Sequence, residues 1–383
     1  MRILHFAESF SQPTETFIKR FVQKSLQFAD VGIVAFNFQD VDDELKKRVS
    51  LFEMTNNLYT RKTISGAVRF ITESLSGMRL WYTQLDQAIE AFNPDIIHCH
   101  FGNTGIIMME FNAKFKKTIP YVTSFYGYDI SSQPAGDQRY RKKLTELWNQ
   151  GSAFFAEGPE LLKKIINLGC PKTKCLVNPL LIPFEEYPVK ENYRNPGDFT
   201  KFLFIGRFVE KKGLQIFLCA VGQLKDKIGK FSIDIVGAGA LRGNYESIIA
   251  AYGLGSFIKW HGMVKHKEII AMMRDYDFLV QPSVTAKDKD SEGGAPTIII
   301  EAQAIGLPVI TSDHADIPFI MGYHDFLSKE NDVPSLIIAI EQIVNYNNIQ
   351  RYIKQGIDKI QYQHNLNSSI IYETNLKKLI SKS

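Results

Sequence analysis

The chain has 383 residues, 45% of them hydrophobic and 22% charged, with a net charge of +4. That is enough chain for two domains with separate cores, and too even a composition for a disordered, collagenous or disulfide-dense protein. No apolar run approaches the roughly 20 residues that span a bilayer, and the small basic excess suits contact with an anionic surface and an ordinary soluble surface equally well.

The opening Met1-Arg2-Ile3-Leu4-His5-Phe6-Ala7-Glu8 is too short and too soon acidic for a signal peptide, and reads as a first buried strand over 3–6. Thr14 then suits an N-cap and Glu15 the first turn of a helix over 16–29. Further strands are expected at 31–35, 96–100, 121–124 and 153–156, with helices at 66–92 and 160–168. The alternation implies a parallel sheet with helices on both faces. Within it, His98 and His100 share one face of a strand, but no third ligand lies near them in sequence, so His98-Cys99-His100 reads as a strand end opening onto a cleft. The cysteines, Cys99, Cys170, Cys175 and Cys219, fit neither a disulfide framework nor a zinc site, and read as reduced thiols of a cytosolic protein. Arg61-Lys62 and the helix over 66–92, with Arg69, Arg79, Trp81 and Tyr82, suit a helix resting on a membrane surface, and suit an ordinary surface helix equally well.

Pro179, Pro183, Pro188 and Pro196, with charged residues between them, interrupt the rhythm and mark a linker. Alternation then restarts, with strands over 202–205, 232–236, 258–261, 278–281 and 309–311 and helices over 214–224, 245–251, 267–275 and 297–305. After Asp332 the pattern is helical. Gly237-Ala238-Gly239-Ala240-Leu241-Arg242-Gly243 is not a dinucleotide fingerprint: its last glycine comes one position late, and its strand is not the first of its domain.

Two loops carry the chemistry. Arg207 and Lys212 flank a short turn, Arg207-Phe208-Val209-Glu210-Lys211-Lys212-Gly213, at the carboxyl end of a strand, where ligands of open α/β sheets bind. An arginine fork and a lysine point charge are the usual partners of a diphosphate. Asp290-Ser291-Glu292-Gly293-Gly294-Ala295-Pro296 leads into Thr297 and a helix carrying Glu301. Small residues there bare the backbone at a helix start, which suits phosphate or sugar oxygens, although Pro296 has no N–H to give. Carboxylates accept from hydroxyls, and a ligand with both hydroxyls and phosphates is a nucleotide sugar.

Together the two loops resemble the GT-B-fold retaining glycosyltransferases of family 4, of the exopolysaccharide and lipopolysaccharide type. The resemblance runs over nearly the whole chain. It implies an α/β fold of two doubly wound Rossmann-like domains facing a cleft: an acceptor domain over 1–183, a linker over 184–199, a donor domain over 200–362, and a helix over 363–383 packing back on the first domain. It gives Arg207 and Lys212 to the donor diphosphate, Glu292 to the donor sugar and Glu301 to the ribose hydroxyls, making Arg207, Lys212 and Glu292 the catalytic set. The backbone of Gly293, Gly294, Ala295, Pro296 and Thr297 joins the donor site, and Met263 and Val264 edge the nucleobase. Thr14, Glu15 and Tyr126 line the acceptor side. Two departures stand out. Eight residues separate Glu292 from Glu301, one more than is usual in the family, which offers Asp290 or Ser291 as stand-ins. Tyr126 occupies the place of the family's histidine, where it can donate to a hydroxyl or a phosphate oxygen.

The implied activity is transfer of a sugar from a nucleotide-diphosphate sugar to a glycan or lipid-linked glycan with retention of configuration. No resident cofactor or metal is implied, Asp288-Lys289-Asp290 reading as solvated charges, and no nucleic acid. The expected location is cytoplasmic, with peripheral contact to an anionic membrane. A nucleotide-sugar epimerase of the same fold and a non-catalytic nucleotide-sugar-binding subunit are the alternatives.

Overall fold

Uninterrupted apolar runs become strands buried on both faces, and the helices between them cover those faces. A computed structural model of the chain describes residues 1–11, 16–39, 41–54, 80–191, 193, 199–294, 296–346 and 348–381. In it β1 (Arg2–Phe10), β2 (Asp30–Phe38), β3 (Ser50–Glu53), β4 (Ile96–His100), β5 (Tyr121–Phe125), β6 (Ala153–Ala156) and β7 (Cys175–Val177) form one sheet in the order β3-β2-β1-β4-β5-β6-β7. A second sheet has the order β10-β9-β8-β11-β12-β13, built from β8 (Phe199–Ile205), β9 (Lys230–Val236), β10 (Ile258–Gly262), β11 (Phe278–Gln281), β12 (Val309–Asp313) and β13 (Leu327–Lys329). Every pairing in both is parallel. Four interior strands, β4, β5, β6 and β11, are buried at every residue.

The strands that the sequence pattern does not announce, β3, β7 and β13, are three or four residues long and lie at sheet edges, where one neighbour suffices. The first helix, Thr16–Ser25, stops short of Ala29 in a turn closed by Ala29 N–H on Ser25 C=O, 2.9 Å. Of the expected helix over 66–92, Leu80–Phe92 is described; Arg61, Lys62, Arg69 and Arg79 lie outside the described residues. Among the described residues no helix is long and apolar enough to cross a membrane.

Two stretches cross between the sheets. Leu180, Leu181 and Ile182 of the linker are buried. Helix Ile349–Ile360 continues through a π-helical stretch, Gln361–Asn367, into helix Ser368–Ile380. That last helix lies on the first sheet. Tyr372 packs edge-on against Phe21 at 5.2 Å, and its hydroxyl meets His98 Nδ1 at 2.8 Å.

His98 and His100 gain a third ring that sequence distance hid: His5 of β1, in register with His98 of β4. All three are fully buried, with nitrogens within 4.8 Å of one another. Each nitrogen is already in a hydrogen bond, and the polarity of one chain of bonds follows from its fixed end. Ser25 donates to the Phe21 carbonyl at 2.8 Å, so its oxygen accepts from His5 Nε2 at 3.0 Å. His5 Nδ1 then accepts from His100 Nε2 at 3.0 Å, and His100 Nδ1 accepts from the Tyr126 hydroxyl at 2.7 Å. His98 spans the Tyr372 and Ser124 hydroxyls, 2.8 and 2.7 Å. Burial depresses the pKa of His5 to about 3 and that of His364 to about 4, and holds His98 and His100 well below the usual imidazole range.

A histidine kept neutral in the fold takes up a proton only on unfolding, so stability present at neutral pH drains away as pH falls below the unfolded value of 6.5. Each such histidine adds a slope of about 1.4 kcal/mol per pH unit once well below that value. Urea unfolding at pH 7.5 and 5.5 should therefore show a marked loss of stability at the lower pH, reduced in His98→Gln. A flat profile would mean that the histidines ionise within the fold.

Candidate active site

In a parallel sheet all strands end on one side, and a crevice opens where the winding reverses. The reversals fall between β1 and β4 in the first sheet and between β8 and β11 in the second. The Arg207 loop follows β8 and the glutamate turn follows β11, so the two candidate loops flank one crevice.

The structure joins them by an ion pair. Lys212 Nζ lies 2.7 Å from Glu292 Oε1, which also accepts from the Ser283 hydroxyl at 3.1 Å. Burial pushes the Glu292 pKa up, but the Lys212 and Lys211 ammoniums outweigh it and the net shift is downward. Arg207 is exposed, and among the described residues no anion engages it. Gly213, at φ +70°, turns the loop into helix Leu214–Leu224, and any side chain there would strike the Pro282 carbonyl. Gly237 and Gly239 play a comparable part: side chains there would collide with Gly206 and Phe208, so these glycines let the next turn support the Arg207 loop.

Lys211, which sequence reasoning passed over, is buried and grips Asp290 at 2.9 Å and the Ser291 carbonyl at 3.3 Å. Lys164 of the first domain donates to Ser291 Oγ at 2.9 Å. Both proposed stand-ins for Glu292 are thus already held by cations of their own.

The glycines of the turn lie against the first domain. A side chain on Gly293 would strike the Tyr126 carbonyl and Gly127, and one on Gly294 would strike Glu157. They are bare because the turn presses against the first domain. Nearby, Asp316 accepts from the Glu160 and Leu161 amides at 2.7 and 3.0 Å, capping helix Pro159–Asn167 across the seam where Gly158 has no side chain to do so.

Glu301, in helix Thr297–Ala304, is 2% exposed. Its Oε1 accepts from Arg20 Nη2, from His266 Nε2 at 2.8 Å and from the Tyr187 hydroxyl at 3.1 Å. Burial raises its pKa, but Arg20 and His266 more than reverse this, to about 2. Its expected free face is therefore half occupied. Arg20, Tyr187 and His266 were not anticipated, since a cation in a first-domain helix and a tyrosine in a linker read as ordinary surface residues in one sequence.

The Tyr126 hydroxyl, expected on the acceptor side, meets His100 Nδ1 at 2.7 Å inside the domain. Its ring lies between Phe17 at 4.4 Å and Phe101 at 4.9 Å. Met263, 66% exposed, and half-buried Val264 follow Gly262 at the end of β10. Pro296 precedes the helix that Thr297 begins. Thr14, Glu15 and Ala295 lie outside the described residues.

Two family models match the chain: residues 12–173 fit one described as glycosyl transferase 4-like, and residues 188–359 fit one described as glycosyl transferases group 1. WcaL of Escherichia coli K12, named for a colanic acid biosynthesis glycosyltransferase, is 27% identical over 293 residues, covering 74% of this chain and 70% of that one. The amylovoran biosynthesis glycosyltransferase AmsK of Erwinia amylovora is 30% identical over 249 residues, 64% of this chain and 60% of its own. Among solved structures, Anabaena HepE in complex with UDP and glucose superimposes with a TM-score of 0.73 at 16% identity, over all of both chains. Sucrose-phosphate synthase from Thermosynechococcus elongatus gives 0.76, also at 16% identity and full coverage of both.

The contact at Gly293 leaves no room for a methyl group. Gly293→Ala should hold the seam apart and raise the radius of gyration measured by X-ray scattering above the roughly 21 Å of a compact chain of this length. A radius equal to that of the unaltered protein would show that the turn yields instead.

Proposed function

Because the chain belongs to the GT-B glycosyltransferases, we propose that it takes its sugar from a nucleoside diphosphate sugar and passes it to a glycan or lipid-linked glycan with retention of anomeric configuration. The observation that carries this reading is the cation set at the β8–β11 crevice. Among the described residues no anion engages the exposed Arg207, and Lys212, at the other end of the same turn, is held by Glu292. A departing nucleoside diphosphate gathers negative charge as the glycosidic bond breaks. Cations fixed in advance at that point lower the barrier because they act on charge that develops in the transition state. Lysine has three N–H donors, so Lys212 can keep Glu292 while reaching a phosphate oxygen. The relatives' names, for colanic acid and amylovoran biosynthesis, and the UDP bound by HepE support a sugar-nucleotide donor and a polysaccharide setting.

The reading assigns the donor sugar to Glu292 and the ribose to Glu301, with the nucleobase against Met263 and Val264. Glu292 is committed to Lys212 and Ser283 and is a hydrogen-bond acceptor rather than a free nucleophile. Retention then follows a front-face course in which the leaving phosphate accepts the acceptor's proton. The cations act in place of a divalent metal: in Asp288-Lys289-Asp290, Asp290 is neutralised by Lys211, and Asp288 accepts from the Asp290 amide at 2.9 Å.

Donors should first be screened by protection against thermal unfolding, and the best one incubated with lipid-linked glycan acceptors in excess EDTA. The expected product is a glycoside of unchanged anomeric configuration by proton NMR. Interconversion of the donor sugar alone would establish an epimerase, and loss of turnover restored by Mg²⁺ would place a metal in the site.

Arg207→Ala and Lys212→Ala should each lower kcat about 100-fold or more, on the scale of a removed oxyanion donor; Arg207→Ala should keep the parent's melting temperature, and Lys212→Ala should lower it, because the buried Glu292 carboxylate loses its partner. Near-normal turnover in either variant would remove that residue from the diphosphate site.

A further inference from the structure

Arg20 and Glu301 meet by one prong only. An arginine and a carboxylate ordinarily close as a fork, with two parallel N–H···O bonds. Here Nη2 serves both Glu301 Oε1 and the Tyr187 hydroxyl, the latter at 2.6 Å. Nη1 is buried and has no acceptor among the described residues. On the other side, the three donors to Glu301 all converge on Oε1, and no donor among the described residues reaches Oε2. Arg20 as a whole is 4% exposed, so bulk water does not satisfy the open prong. A buried charged donor left unmet is among the costlier defects of a fold. His266 and Tyr187, bonded to the same oxygen, hold the carboxylate in the orientation that keeps the fork open.

An open N–H donor beside an open carboxylate oxygen complements a vicinal diol. One hydroxyl gives its proton to the carboxylate, and its neighbour's oxygen accepts from the guanidinium. The two halves of this receptor also belong to different domains: Arg20 sits in helix Thr16–Ser25 of the first, and Glu301 in helix Thr297–Ala304 of the second. A ligand that engages both groups joins the domains.

We propose that Arg20 is a specificity-determining residue for the donor, with Nη1 and Glu301 Oε2 together receiving the cis-diol of a ribonucleoside across the domain seam. This rests on the nucleotide-sugar reading above. It makes the first domain a participant in donor recognition, and it ties that recognition to the 2′-hydroxyl.

The test is calorimetric titration of the full chain with UDP, GDP, ADP and CDP and with the 2′-deoxy form of whichever binds best. The unaltered protein should prefer the ribonucleotide by about tenfold or more, the range of a hydrogen bond to a charged group. Arg20→Lys keeps a cation for Glu301 but lacks the second prong. It should bind the 2′-deoxynucleotide as the parent does and lose its preference to within about threefold. Equal weakening of both nucleotides in Arg20→Lys would make Arg20 a structural strut and overturn the proposal. So would a parent protein that does not distinguish the two forms, a result independent of how any variant folds. Failure of every ribonucleoside diphosphate to bind the parent would instead overturn the donor reading itself.

Discussion

The structure depends on a single directional constraint. Within each sheet every strand runs the same way, and the carboxyl ends of the two sheets face one another. Loops and helix starts therefore accumulate at one seam, and helix starts bring unpaired amides and positive dipole ends. The fold answers with carboxylates that work across the seam: Asp316 of the second domain caps a helix of the first, and Glu301 takes Arg20 from the first. Close backbone approach is the other requirement, met at Gly127, Gly158, Gly293 and Gly294, where any side chain would collide with the opposite domain.

The charge pattern at the seam has a direction. Asp290, Glu292 and Glu301 are each matched by a cation, through Lys211, Lys212 and Arg20. Buried pairs of this kind add little net stability, because desolvation offsets most of the attraction. What they add is position: each lysine or arginine is held in one place before any ligand arrives. Arg207 is left over, exposed at the crevice between β8 and β11, where open α/β sheets take their ligands.

Much of this was legible in the sequence. The strand pattern, with the apolar runs at β1, β4, β8 and β11, gives the two doubly wound domains, and the glycine-bounded Arg207–Lys212 loop and the paired glutamates mark the crevice. The short edge strands β3, β7 and β13 escaped because three or four residues carry no period. Helix Gly102–Phe115 escaped because it is apolar on several faces, with buried residues from Gly102 through Phe111, and shows no amphipathic stripe. The partners of the site residues escaped for another reason. His5 lies beside His98 only through strand pairing, and Arg20 lies beside Glu301 only through domain packing, so neither distance exists along the chain. The protein contacts of the turn glycines were hidden for the same reason, since Tyr126, Gly127 and Glu157 reach Gly293 and Gly294 only through domain packing.

The two crossings between the domains are tied to each other as well as to the sheets. Ile182 N–H donates to the His364 carbonyl at 3.0 Å, His364 Nδ1 donates to the Leu180 carbonyl at 2.9 Å, and Ser368 Oγ donates to the Pro179 carbonyl at 2.5 Å. The linker and the π-helical stretch thus behave as one laminated strip rather than two independent tethers. Two crossings bonded to one another leave the domains fewer independent degrees of freedom than two separate tethers would, so the register of the seam is set by the strip as well as by the faces that meet across it.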